Sequence, residues 1–144
     1  RSRAVITESL HALVQALGEH GVDPSAVIIK TSMAMSGKGT GKIDTPEEVA
    51  EDTLAALTEA VPAAVPGIVF LSGGQGNDQA TDNLRAIAKA AKAAGAPWGI
   101  SFSYARALQD EALKIWGGKD ENVQAAREAF LGRLLKVSKA TLGE

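Results

Sequence analysis

Three apolar runs are too short to be helices: AVIIK at residues 26–30, GIVFL at 67–71 and WGISFSY at 98–104. They are rich in branched and aromatic side chains, and their starts are roughly 30 to 40 residues apart, the repeat length of a βα unit. The intervening segments read as helix. Residues 6–19 place Leu10, Leu13, Val14 and Leu17 on one helical face, with Gly21 as the stop. In TPEEVAEDTLAALTEAV, Thr45 is the predicted N-cap, Pro46 opens the helix and Glu48 completes a capping box. Residues 78–95 are alanine-rich, with Leu84, Ile87 and Ala91 at helical spacing and with Gly95 and Pro97 as terminators. Residues 105–116 and 123–137 are helical in pattern. The order α, β, α, β, α, β, α, α predicts an α/β fold with parallel strands and helical crossovers.

The whole chain, residues 1–144, reads as one globular unit or part of one. Its apolar content of 45% supplies a core, and neither a linker nor a close short-period repeat divides it. Three parallel strands cannot close a barrel, and a parallel sheet buries both faces, so further strands are expected to complete it. With 15 basic and 17 acidic residues dispersed along the chain, a net charge of −2 gives no footprint for nucleic acid or an anionic membrane. The absence of cysteine excludes disulfides and thiolate metal sites. No run spans a bilayer, and RSRAVITESL lacks the apolar core of a secretory signal, so a soluble, cytoplasmic protein is expected.

Each strand pattern ends in polar or turn-forming residues: Lys30, then Ser72-Gly73-Gly74, then Tyr104-Ala105-Arg106. Sites in α/β proteins are built at these C-terminal strand ends. Lys30 has two readings. Its stem could pack on the sheet while the ammonium reaches solvent, or the amine could be kept neutral by desolvation and form a Schiff base with a ketone. LSGGQG is either an ordinary βα turn or a phosphate nest of backbone N–H groups backed by a helix N-terminus. Arg106 is either a solvated helix residue or a guanidinium clamp on the same phosphate. His11 and His20 are wrongly spaced for a paired metal site, the acidic run after Asp44 suits a helix start, and GKGTGK lacks the Ser or Thr of a nucleotide loop.

The stretches IIKTSM, VPAAVPGIVFLSGGQ, SFSYARALQ and ALKIWGGK resemble class I, Schiff-base fructose-bisphosphate aldolases, and the resemblance runs from the first helix to about residue 135. It implies a (β/α)8 TIM barrel to which this chain supplies the last three βα units. It implies that Lys30 is the catalytic nucleophile, forming an iminium with fructose 1,6-bisphosphate or dihydroxyacetone phosphate. Ser72, Gly73, Gly74, Ala105 and Arg106 would bind the phosphate of the dihydroxyacetone half. No metal or organic cofactor is implied, because the iminium is the electron sink. A place in glycolysis and gluconeogenesis follows, as does assembly into a homo-oligomer or with the missing N-terminal barrel half.

The chain departs from the family in three ways. Ala105 stands where glycine is usual, which keeps an N–H donor but would make a positive φ costly. Thr31-Ser32 replaces a Pro-Asn pair common in animal enzymes, and the tail ending in tyrosine is missing. The family's general acid–base residues lie on strands that cannot be placed here. The competing reading is therefore a non-catalytic or engineered barrel fragment that binds phosphate or assembles with a complementary half; a Schiff-base aldolase for another sugar phosphate is a third.

Overall fold

The computed structural model describes residues 1–144, apart from the side chain of Lys38. Helices and strands alternate as far as α4, and a fifth helix follows: α1 (Ser2–Glu19), β1 (Ile28–Thr31), α2 (Pro46–Ala60), β2 (Gly67–Phe70), α3 (Asn77–Ala93), β3 (Gly99–Phe102), α4 (Arg106–Trp116) and α5 (Val123–Ala140). Single 3-10 turns lie at Pro24–Ala26, Lys38–Thr40 and Asp120–Asn122. The expected element order holds throughout. Among the described residues no helix is long and apolar enough to cross a membrane.

The strands form one parallel sheet in the order β1-β2-β3, with Lys30 opposite Val69 and Val69 opposite Ser101. Successive side chains on a strand point to opposite faces, so one face carries Ile29, Ile68 and Phe70 while the other carries Ile28, Lys30 and Val69. The first set is fully buried beneath the helices. The second faces outward, and Ile28 is 65% exposed. AVIIK thus reads as a continuous apolar run although only one of its isoleucines enters the core. Each of the buried Ile29, Ile68 and Phe70 contributes roughly 1.5–3 kcal/mol through removal from water.

The helices pack by the periodicity the sequence displays. Val49, Thr53, Leu57 and Ala60 form the inner stripe of α2; Ala80, Leu84, Ile87 and Ala91 form that of α3. The capping box on α2 is complete, with Thr45 Oγ1 accepting from the Glu48 amide at 3.2 Å and the Thr45 amide donating to Glu48 Oε2 at 2.9 Å. α1 differs from expectation. It begins at Ser2, and its buried positions are Thr7 and Leu10, whereas Leu13 is 41% exposed. The helix packs chiefly on α2, through a stripe continued by the half-buried Val14 and Leu17, with Leu13 to one side of it; its first residue, Ser2, also accepts at Oγ from the Met35 amide at 3.3 Å.

Candidate active site at the C-terminal strand ends

Lys30 is exposed, so the buried environment expected of its strand is not provided by these residues. Its stem lies on the open face of the sheet, and Nζ donates to Ser103 Oγ at 3.1 Å. Ser103 follows β3, two strands away, so the lysine reaches across β2 toward the segment that leads to Arg106. The order of the strands therefore brings Lys30 to the same end of the sheet as the two other strand endings.

Beyond β2 the chain turns sharply. The Gln75 amide donates to the Ser72 carbonyl at 2.9 Å, and the two central residues, Gly73 and Gly74, have φ of +54° and +78°. Positive φ at both central positions is disfavoured for any residue with a Cβ, which is why glycines stand there. A Cβ on Gly73 would also lie 3.2 Å from Leu71 Cδ1. Ser72 is buried at 6% exposure, and the amides of Gly73 and Gly74 donate to no protein acceptor among the described residues. α3 follows immediately with Gly76 as its N-cap and no capping side chain, so its first amides face the same turn. Such an arrangement suits an anion.

The third ending has Ala105 as N-cap of α4 with φ of −104°. Alanine is thus accommodated without left-handed strain, and the cost feared for a replaced glycine does not arise. Arg106 is exposed at the first position of α4 and forms no ion pair among the described residues.

A cavity of about 240 Å³ separates the glycine turn from the loop after β1, with Gly41 and Lys42 on one side and Gly73, Gly74 and Gln75 on the other. Lys42 is not free for an anion there: its ammonium lies 2.9 Å from Asp44 and 3.1 Å from Glu48. Behind the turn, Gln75 Oε1 accepts from the buried Asn83 at 2.8 Å, while Gln75 Nε2 contacts Met33 Sδ at 3.5 Å. Tyr104 OH donates to the Ala80 carbonyl at 2.8 Å, and burial holds its phenol well above the usual range.

Several of these supports have no signature in a run of residues, because their partners lie 24 to 73 positions away. Arg133 is the exception. Phe130, Arg133, Leu134 and Val137 share i, i+3, i+4, i+7 spacing, which sets a cation within an apolar stripe. From sequence alone the segment reads only as helix. On another face, α5 and α4 enclose a separate apolar groove lined by Leu113, Trp116, Phe130 and Leu131, away from the strand ends.

The family model described as "Glycolytic: Fructose-bisphosphate aldolase class-I" matches residues 1–144. The chain is 49% identical over 143 residues to "Fructose-bisphosphate aldolase 6, cytosolic" of Arabidopsis thaliana, covering 97% of this chain and 38% of that protein. It is 47% identical over 140 residues to "Fructose-bisphosphate aldolase B" of Ovis aries, covering 96% and 38%. A solved structure of the Plasmodium falciparum fructose-bisphosphate aldolase, crystallised with TRAP and a small-molecule inhibitor, superposes with a TM-score of 0.92 at 40% identity, covering 99% of this chain and 40% of that one. The chain spans 38% of the length of the curated relatives quoted.

Proposed function

The chain belongs to the class I fructose-bisphosphate aldolase family, whose structural relative has a TIM-barrel-type α/β fold, and from that premise we propose that Lys30 is the Schiff-base nucleophile of a fructose 1,6-bisphosphate lyase. The observation that carries the reading is the Lys30–Ser103 contact, which brings the only lysine on a strand to the end where the glycine turn and Arg106 also stand. Ser72, Gly73, Gly74, Ala105 and Arg106 hold the phosphate of the dihydroxyacetone half: two of these offer unengaged glycine amides, and one offers a free guanidinium.

The neutral Lys30 amine attacks the C2 carbonyl carbon of the open-chain sugar, and loss of water leaves an iminium. The C3–C4 bond then breaks. Its electron pair passes to the iminium nitrogen, giving an enamine, while the C4 hydroxyl proton leaves to a base and glyceraldehyde 3-phosphate departs. Protonation at C3 and addition of water release dihydroxyacetone phosphate and restore the amine. The family resemblance assigns these proton transfers to residues on preceding strands, which would also desolvate Lys30.

The 144 residues act as the C-terminal three βα units of one (β/α)8 barrel domain. Three of eight units match the 38% share of the relatives' length, and the open sheet face with Ile28 and Lys30 is the surface that the other strands would cover. A cytosolic place, a sugar-phosphate substrate and assembly as an oligomer accompany the reading.

Borohydride reduction of the full polypeptide with dihydroxyacetone phosphate tests it. The expected product is a single adduct mapped to Lys30, absent from Lys30→Met. A wild-type polypeptide that forms no adduct, or forms it at another lysine, overturns the assignment.

A further inference from the structure

Arg133 is the most buried cation among the described residues, at 4% exposure, and nothing in the proposed reaction uses it. Its guanidinium reaches from α5 to the first turn of α3. Nη2 donates to the Asn77 carbonyl at 2.6 Å and to Thr81 Oγ1 at 2.7 Å, and Nη1 donates to Asp78 Oδ1 at 2.7 Å. Nε is buried without a partner among the described residues.

Two physical facts make this placement costly. A helix N-terminus is already positive, so a cation there is disfavoured relative to the opposite end. Its one carboxylate partner, Asp78, is 84% exposed and so is screened by water, while the guanidinium is not. Replacing such a buried charge by well-packed apolar groups is often neutral or stabilising, so cross-linking the helices is by itself a weak reason for an arginine here.

The geometry of the first turn of α3 suggests what the arrangement does. Asn77 follows the Ser72–Gln75 turn by two residues, so fixing its carbonyl fixes the exit of the glycine turn. On the same helical turn, the Ala80 carbonyl accepts from Tyr104, which directly precedes Ala105 and Arg106. The turn is thereby held from two sides: by Arg133 from α5, and by the segment that carries the arginine clamp. We propose that Arg133 is a positioning residue for the phosphate site, fixing the spacing between the glycine turn and Arg106 and adding positive charge behind the turn. This rests on the phosphate-site reading given above.

The test compares two ketones on the full polypeptide, dihydroxyacetone phosphate and dihydroxyacetone, by the half-saturating concentration for borohydride-trapped adduct on Lys30. Arg133→Met is expected to raise the value for the phosphorylated ketone about tenfold and leave that for the plain ketone unchanged. Arg133→Lys, which keeps charge without the fork, is expected to fall between at about threefold, and it carries the comparison if circular dichroism shows that the Met variant has not folded. Variants that retain the wild-type preference for the phosphorylated ketone, or that weaken both ketones equally, overturn the positioning role. A wild-type polypeptide with no such preference removes the phosphate-site reading itself, and the inference falls with it.

Discussion

Asp44 fastens the loop that carries the chain from β1 to α2. Its carboxylate accepts from the Ser36 amide and from Ser36 Oγ at 2.8 Å, and it meets Lys42 Nζ at 2.9 Å. The hydrogen bond from Lys42, with those from Ser36, lowers its pKa from the ordinary 3.8 to about 2. The folded value lies below the unfolded one, so the stabilisation is complete above about pH 4 and is lost as pH falls toward 2. Asp44→Asn is expected to cost on the order of 1–2 kcal/mol at neutral pH, reduced by the exposure of Lys42, and to flatten the acid limb of the stability profile. Urea melts of both proteins between pH 2 and 7 check this; parallel curves would assign the acid sensitivity to other carboxylates. At this scale the sequence was readable only where the chemistry is local. Lys30 stands out as a charge near the end of its strand, but Ser103, which accepts from its ammonium, is 73 positions away and nothing near either residue announces the pair.

Elements were legible where a cap or a period is written into adjacent residues. Thr45, Pro46 and Glu48 specify the start of α2, and the structure realises both hydrogen bonds of the box. Thr45→Ala removes the acceptor for the Glu48 amide and is expected to lower stability by about 1 kcal/mol, with a fall in Tm of roughly 3–5 °C. A thermal melt followed by circular dichroism reads this, and an unchanged Tm would mean that tertiary packing alone holds the helix start. Less was readable where an element's environment is one-sided. The pattern of α1 puts Leu10, Leu13, Val14 and Leu17 on one face, yet the helix packs chiefly on α2, and Leu13 is left outside. The stripe of α5 was legible as helix but not as function, because a single arginine among apolar residues tells its role only once α3 is known to lie opposite.

At the scale of the whole molecule, the sheet is finished on one face and unfinished on the other. Burying a side chain such as Ile28 is worth roughly 1.5–3 kcal/mol, and here that side chain remains 65% exposed beside Lys30 on a β-strand edge with unpaired backbone groups. The 144-residue chain alone is therefore expected to associate through this face, as a stand-in for the strands that would cover it in a barrel. Leu131, 55% exposed on α5, provides an apolar control on the opposite, helical side. Ile28→Asp should shift sedimentation-velocity profiles toward the monomer without lowering Tm, since the residue is outside the core, whereas Leu131→Asp should leave the association in place. A reversal of that order would make the helical groove of α4 and α5 the adhesive surface. Both variants remaining as associated as the parent would instead place the contact on the bare strand edges, where backbone hydrogen bonding needs neither side chain.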